Sequence, residues 1–146
     1  MTIGTVDIPD FIELRDIASS VVKEVGEYIL KESKKPILQE TKSSSTDYVT
    51  EGDKEAEALI VNMIKDIRPE DGFLGEEGTS RQGRSTVEWI IDPIDGTTNF
   101  IYDHSGFGPS IAAKVGGEIV AGAVADSSRG EIFDAAVNHG SRCNGE

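Results

Sequence analysis

The segment WIIDPIDGTTNF spans residues 89–100 and joins a hydrophobic run to two carboxylates. The hydrophobic run predicts a buried strand that delivers Asp92 at its end. Pro93 cannot continue the hydrogen-bond ladder of a central strand, Asp95 follows three residues after the first acid, and Gly96 permits a tight reversal. Two carboxylates on a stiff turn, followed by backbone N–H groups, suit Mg²⁺, which takes oxygen ligands and keeps positions open for water and phosphate.

Further acidic residues lie upstream of this segment. Glu76 and Glu77 follow the apolar run Gly72–Gly75, and Asp53 lies near the start of a helical pattern. If these groups meet the two downstream aspartates, each pair at 4 Å repels by roughly 1 kcal/mol in water and about 4 kcal/mol at an effective dielectric constant of 20. Such a cluster requires a bound cation. Taken alone, the glutamates also fit a solvated surface, and Asp53 also fits a helix cap.

The N-terminal part of the chain predicts two amphipathic helices. Apolar residues recur at helical spacing over residues 9–33, and Pro36 ends this pattern. A second pattern begins near Thr50 and continues to Pro69. The polar, serine-rich stretch Thr41–Asp47 between them predicts a loop.

Beyond Pro69 the spacing of apolar residues becomes that of strands. Gly116-Gly117 predicts a two-residue hairpin turn, and Gly78–Ser85 a surface loop. Consecutive hairpins predict an antiparallel meander, so the expected fold is α+β, with two N-terminal helices packed on an antiparallel sheet. The predicted strands are Gly72–Gly75, Val87–Ile91, Ser110–Val115, Glu118–Asp126 and Glu131–Val137.

Length, charge and composition exclude several classes of protein. The 146 residues suffice for one domain, and 14 basic against 27 acidic side chains give a formal charge of −13. That charge repels phosphate backbones and anionic lipid, so neither nucleic acid nor membrane is an expected partner. The chain contains no apolar run of membrane-spanning length and no signal-peptide pattern, and Cys143 is its one cysteine. These features predict a cytoplasmic protein without a disulfide or a zinc cage.

The segment Asp92–Phe100 resembles the signature of the inositol monophosphatase family, within the lithium-sensitive, magnesium-dependent phosphatase superfamily. Three other elements in the same order are similar to family motifs: Asp47–Asp53, Phe73–Glu77 and Cys143–Gly145. The last resembles the Asn-Gly that closes the family's first half. The resemblance implies that residues 1–146 form the N-terminal α+β lobe of the layered α/β/α/β/α sugar-phosphatase fold, with the C-terminal half absent.

The same resemblance implies two or three Mg²⁺ ions. Glu76, Asp92 and the backbone carbonyl of Ile94 would hold the first ion. Asp92 and Asp95 would hold the second, with Asp92 bridging the two. Glu76 would also touch a third, loosely bound ion through water.

The catalytic roles that the resemblance implies fall on Thr97, Asp53 and Glu76. Thr97, linked to Asp53, would orient the attacking water, and the N–H groups of Gly96 and Thr97 would meet the phosphate. Lys42, which is otherwise a solvated side chain, is a further candidate for a phosphate contact. Substrate contacts would come from Glu76, Ile94, Asp95, Gly96 and Thr97.

The activity implied is Mg²⁺-dependent hydrolysis of a small phosphate monoester, such as inositol monophosphate or a similar sugar or polyol phosphate, by metal-activated water. The partner would be a small phosphorylated metabolite, and the full-length protein a homodimer. Because a further metal-binding aspartate of the family lies in its C-terminal half, the 146-residue chain alone is expected to be inactive or nearly so.

Three alternatives remain open. The substrate could be histidinol phosphate or a nucleotide-derived phosphate, which relatives in the superfamily hydrolyse. A haloacid-dehalogenase-type phosphatase carries Asp-x-Asp-Gly-Thr, whereas Asp92–Thr97 has one more residue between its aspartates, and such enzymes need a parallel sheet. The chain could also be a metal-binding or dimerising lobe without catalysis.

Overall fold

The structure, a computed structural model, describes residues 8–33, 45–76, 79–97, 100 and 104–146, with side chains in the second range from residue 52 onward. It confirms the predicted α+β fold: two helices pack on a seven-stranded sheet of order β2-β1-β3-β4-β5-β6-β7. The helices are α1 (Phe11–Ser33) and α2 (Ser45–Ile67). The strands are β1 (Gly72–Gly75), β2 (Ser80–Arg81), β3 (Val87–Asp95), β4 (Gly108–Val115), β5 (Glu118–Asp126), β6 (Glu131–Ala136) and β7 (Ser141–Cys143).

Helix α1 begins after a side-chain cap. The Asp10 carboxylate accepts a hydrogen bond from the N–H of Ile12 at 2.9 Å, which satisfies one of the free donors of the first turn. The helix therefore begins at Phe11, two residues later than predicted. Its apolar stripe, from Leu14 to Ile29, is buried against β4, β5 and β6.

Helix α2 begins at Ser45, so the prediction of a loop through Asp47 is wrong for residues 45–47. Thr50 lies inside the helix rather than at its start. Serine, threonine and aspartate favour both loops and first helical turns, so composition alone does not locate this boundary. The helix ends at Ile67, two residues before Pro69, and packs against α1 and β3.

The sheet is mixed rather than purely antiparallel. Strands β3 to β6 form the predicted antiparallel meander, and β7 extends it. Strand β1, however, pairs with β3 in parallel, with Gly72 opposite Glu88 and Gly75 opposite Ile91. The predicted loop Gly78–Ser85 contains β2, which pairs antiparallel with β1 at the sheet edge. After β1 the chain reverses to form β2 at the sheet edge. It then passes to the other side of β1, where β3 runs in the same direction as β1.

Strand β3 continues through Pro93 instead of ending before it. Asp92 pairs with Ser110 and Asp95 pairs with Gly108, so Pro93 and Ile94 together oppose a single residue of β4. This is a β-bulge, where an unpaired residue needs no N–H donor and proline is tolerated. The bulge brings the second aspartate of the motif back into the ladder.

One turn and one strand show how local sequence does and does not determine pairing. Gly116 and Gly117 have φ of 58° and 86° and join β4 to β5 by the predicted two-residue hairpin. Strand β7 is not predicted, because its three residues, Ser141–Cys143, carry no apolar alternation.

The core lies between the helices and one face of the sheet. Trp89 and Ile91 of β3 and Phe73 of β1 are buried on this face against the two helices. On the opposite face, Val124 and Phe133 stand directly across from each other and are 42% and 45% exposed. Within the described residues, neither helix has the length and apolar character needed to cross a membrane.

Candidate functional site

The parallel pairing of β1 with β3 brings two acidic side chains together. Gly75 and Ile91 are the last partners of this ladder, and the Glu76 N–H donates to the Ile91 carbonyl at 3.4 Å. The next residues, Glu76 and Asp92, therefore lie side by side where the two strands end. Their carboxyl groups are close enough for Glu76 to act on the pKa of Asp92 through hydrogen bonding and charge. The predicted meeting of Glu76 with Asp92 thus has a geometric basis in the fold.

The environment of Asp92 favours its protonated form. Burial, the hydrogen bond and charge of Glu76, and the charge of Asp95 together raise the pKa of Asp92 to about 7, although the N–H of Ile94 acts in the opposite direction. A hydrogen bond between two carboxyls needs one shared proton. The proton reduces the repulsion between the two carboxylates, and a divalent cation bound between them would do the same.

The donor atoms fit a hard cation by type. Within the part of the chain that the structure describes, the buried Oδ1 of Asp92 has no hydrogen-bond partner. An unpaired buried carboxylate oxygen is costly, and a cation would satisfy it. The predicted metal ligands do not all come together. The described residues contain no group of three or more acidic, histidine or cysteine side chains placed to hold one ion. Glu76 and Asp92 are in contact, whereas Asp95 is exposed and acts on Asp92 through its charge.

The reversal after β3 requires glycine. Gly96 has φ of 79°, and a Cβ at this position would lie 2.3 Å from the Gly106 carbonyl oxygen. The Phe100 N–H donates to the Gly96 carbonyl at 3.0 Å, and the Thr97 hydroxyl donates to the Ile94 carbonyl at 2.9 Å. The turn thereby holds Thr97 beside a predicted metal ligand.

Of the predicted site residues on α2, the structure describes Asp53, which is buried. Its predicted link to Thr97 stays a prediction. The single hydroxyl proton of Thr97 is directed at the Ile94 carbonyl in this structure. Lys42 lies outside the described residues.

One buried acid near the site is absent from the sequence prediction. Glu57 is 2% exposed, lies one turn after Asp53 on α2, and accepts a hydrogen bond from the Thr79 N–H at 3.3 Å. Its position could have been recognised, because it falls on the buried stripe that includes Ala56, Ile60 and Ile64. A carboxylate on an apolar stripe needs buried hydrogen-bond partners, and those lie in a distant part of the sequence.

The sequence profile of the Inositol monophosphatase family matches residues 10–146. The chain belongs to this family. Two similar relatives are the Nus factor SuhB of Vibrio cholerae, 39% identical over 131 residues, and the inositol-1-monophosphatase of Mycobacterium bovis, 42% identical over 110 residues. The alignments cover 88% and 72% of this chain but 49% and 38% of the relatives, so the chain spans about half of their length or less.

Solved structures agree with this assignment to the inositol monophosphatase family. The extragenic suppressor protein suhB from Bartonella henselae superposes with a TM-score of 0.79 at 31% sequence identity. The superposition covers 90% of this chain and 51% of that protein. The mixed sheet and its two helices are therefore a fold that a longer family member also contains.

In the present chain, a second polar cluster lies at the opposite end of β1 from Glu76. The buried Asp71 carboxylate accepts hydrogen bonds from the Trp89 indole N–H at 2.7 Å and the Ser85 hydroxyl at 2.6 Å, and it also pairs with Arg68. These contacts tie the start of β1 to β3. They stabilise the parallel pair from the end that lies away from Glu76.

Proposed function

We propose that this chain is the metal-binding lobe of a Mg²⁺-dependent phosphatase that hydrolyses a small phosphate monoester. The observation that carries the proposal is the contact of the Glu76 and Asp92 carboxyls beside Asp95, at the common end of β1 and β3. Membership in the inositol monophosphatase family supports the reaction class. Because the chain spans about half the length of this relative, the proposed activity is that of a protein of the relative's full length.

Four residues would hold the ions. Glu76, Asp92 and the carbonyl of Ile94 would ligate one cation, and Asp92 with Asp95 would ligate a second. When bound, such ions lower the pKa of a coordinated water and stabilise charge on a leaving oxygen. The protein surface, with a net charge of −13, also needs cations at this place to attract an anionic ester.

Thr97 and Asp53 would orient the attacking water. The Thr97 hydroxyl has one proton, which it now donates to the Ile94 carbonyl. If that carbonyl ligates a cation, the hydroxyl would be able to turn toward Asp53, and a lone pair on Oγ1 would accept a hydrogen bond from the attacking water. One rotation of the Thr97 hydroxyl would therefore both release the Ile94 carbonyl from its hydrogen bond and orient the water.

The substrate would be a small phosphorylated metabolite, with inositol monophosphate or a related sugar or polyol phosphate as the first candidate. The Mycobacterium bovis relative is named an inositol-1-monophosphatase, which supports this class. The N–H groups of Gly96 and Thr97 would contact the phosphate oxygens, with Lys42 as a further candidate. Histidinol phosphate and nucleotide-derived phosphates are the alternative substrates, and an activity assay should include them beside inositol monophosphate.

A non-catalytic lobe is the second candidate function. The name of the Vibrio cholerae relative, Nus factor SuhB, states no catalysed reaction. An activity assay on a protein of the relatives' full length distinguishes the two candidate functions. Mg²⁺-dependent release of phosphate supports the enzyme. Folding with Mg²⁺ binding but no turnover supports the non-catalytic lobe. The 146-residue chain alone is expected to show background turnover at most.

The direct test of the site is a calorimetric titration of the chain with Mg²⁺ near neutral pH, in two buffers of different ionisation enthalpy. Because Asp92 has a raised pKa, binding is expected to release a proton, which the buffer comparison detects. Asp92→Asn should abolish both binding and proton release, whereas the exposed Asp66→Asn should change neither. The absence of binding at millimolar Mg²⁺ would contradict the proposal.

A further inference from the structure

The carboxylate of Glu57 is buried beside the candidate site, yet the proposed mechanism gives it no role. The side chain is 2% exposed and lies on α2 between the buried Ala56 and Ile60. Burying a carboxylate without hydrogen bonds is unfavourable by several kcal/mol. Its hydrogen-bond partner therefore indicates what the group does.

Glu57 contacts both ends of the chain reversal that follows β1. A Cβ at Gly75 would lie 2.2 Å from Oε1 of Glu57, so the carboxylate occupies the space above the glycine Cα. The other oxygen, Oε2, accepts the N–H of Thr79 at 3.3 Å. Gly75 and Thr79 are themselves joined, because the Gly75 N–H donates to the Thr79 carbonyl at 2.6 Å.

Glu76 lies within this reversal and extends to the other face of the sheet. Side chains alternate along a strand, so Phe73 and Gly75 face the helices while Leu74 and Glu76 face away. Glu57 thus approaches the backbone from the helix side of the sheet, and Glu76 meets Asp92 on the opposite side. The described contacts of Glu57 with Gly75 and Thr79 give it a route to Glu76 through the backbone.

We propose that Glu57 is a positioning residue, which holds the reversal between Gly75 and Thr79 so that the Glu76 carboxylate meets Asp92 and a divalent cation. This inference rests on the proposed function for its cation and on the observed contacts for its geometry. In this role Glu57 would act through the backbone and would not itself be a ligand of the cation. Groups that orient metal ligands in this way typically change metal affinity by about 10- to 100-fold when removed.

The first measurement is amide hydrogen exchange of the metal-free chain. Glu57→Ala removes the acceptor, so exchange of the Thr79 and Gly75 amides is expected to accelerate by about tenfold or more, while the Trp89 amide keeps its rate. Glu57→Gln keeps an acceptor oxygen and should stay within about threefold of the parent chain. Unchanged exchange at Thr79 in Glu57→Ala would overturn the proposal.

The second measurement is Mg²⁺ affinity by calorimetry, on variants shown by circular dichroism to be folded. Glu57→Ala is expected to weaken binding about 10- to 100-fold, and Glu57→Gln to stay within about threefold. Glu55→Ala and Glu55→Gln, at an exposed position of the same helix, serve as matched controls and should leave affinity unchanged. Equal losses in both Glu57 variants would indicate a role for charge and would overturn the positioning role.

A double-mutant cycle with Gly75 tests the contact itself. Gly75→Ala places a methyl group into the Glu57 carboxylate and should accelerate Thr79 exchange by about tenfold, but in the Glu57→Ala background the methyl group has space and should add less than about threefold. Additive effects would overturn the proposal. If the parent chain binds no Mg²⁺, the proposed function fails, while the exchange rates and this cycle still decide whether Glu57 holds the reversal.

Discussion

At the scale of single residues, Asp92 links the site to the stability of the chain. Its pKa is raised by burial and by Glu76, so the folded state binds a proton more tightly than the unfolded state does. In the metal-free chain this contribution to stability is fully present below the ordinary value of 3.8 and is lost as the pH rises to about 7. The stability of the metal-free chain is therefore expected to fall over this window.

Urea unfolding in the presence of EDTA measures this effect across the same pH window. Asp92→Asn has no carboxyl to titrate, so its unfolding midpoint should depend less on pH than that of the parent chain. Asp66→Asn, which removes an exposed charge on α2, should keep the parent's pH dependence. Identical pH profiles for Asp92→Asn and the parent would contradict the raised pKa.

Gly96 gives a second prediction at residue scale, because backbone strain and close contact coincide there. Gly96→Ala would place a Cβ 2.3 Å from the Gly106 carbonyl oxygen at φ of 79°. Gly117→Ala shares a positive φ of 86° but meets nothing within 4 Å. We expect Gly117→Ala to cost about 1 kcal/mol of unfolding free energy and Gly96→Ala at least about 1–2 kcal/mol more. Equal losses in urea unfolding would show that the contact is unimportant.

At the scale of elements, the parallel pairing of β1 with β3 positions the acids, and Asp71 secures that pair. Asp71→Asn keeps the shape of the side chain but loses the charge opposite Arg68 and one acceptor oxygen among its three partners. The expected loss of unfolding free energy is about 2–3 kcal/mol, since the group is buried.

The affinity of the folded Asp71→Asn variant for Mg²⁺ should stay within about threefold of the parent, because Asp71 lies at the opposite end of β1 from Glu76. Glu57→Ala, by contrast, is expected to weaken Mg²⁺ affinity about 10- to 100-fold. Urea unfolding and calorimetry on the same preparation separate the two effects. A large loss of affinity in Asp71→Asn would show that the whole β1–β3 pair, rather than its end alone, determines the geometry of the site.

The elements also show what the sequence could predict. Helical and strand periodicity located both helices and five strands, and the Asp92–Phe100 motif identified the acids of β3, although the strand continues to Asp95. The parallel partner of β3 could not be predicted, because strand pairing depends on contacts distant in sequence and β2 has only two residues. Glu57 was missed for the same reason: its partners, Gly75 and Thr79, lie on a different element.

At the scale of the whole molecule, the two faces of the sheet differ in what covers them. The helices cover one face, and the other face carries an open apolar groove of about 770 Å³ whose lining includes Ile119, Val124, Phe133 and Val137. These side chains are 42–53% exposed. Contiguous exposed apolar surface binds hydrophobic dyes and promotes association, which a net charge of −13 opposes by repulsion.

This balance predicts the behaviour of the isolated chain with salt. Because salt screens repulsion between exposed charges but leaves apolar attraction, association measured by analytical ultracentrifugation should increase with ionic strength. The paired substitutions Val124→Ser and Phe133→Ser should lower both association and dye fluorescence, since the two residues face each other across β5 and β6. Ile8→Ser, which removes a side chain 74% exposed, is the matched control and should change neither. Salt-dependent association that persists in the double variant would place the contact on a surface other than this groove.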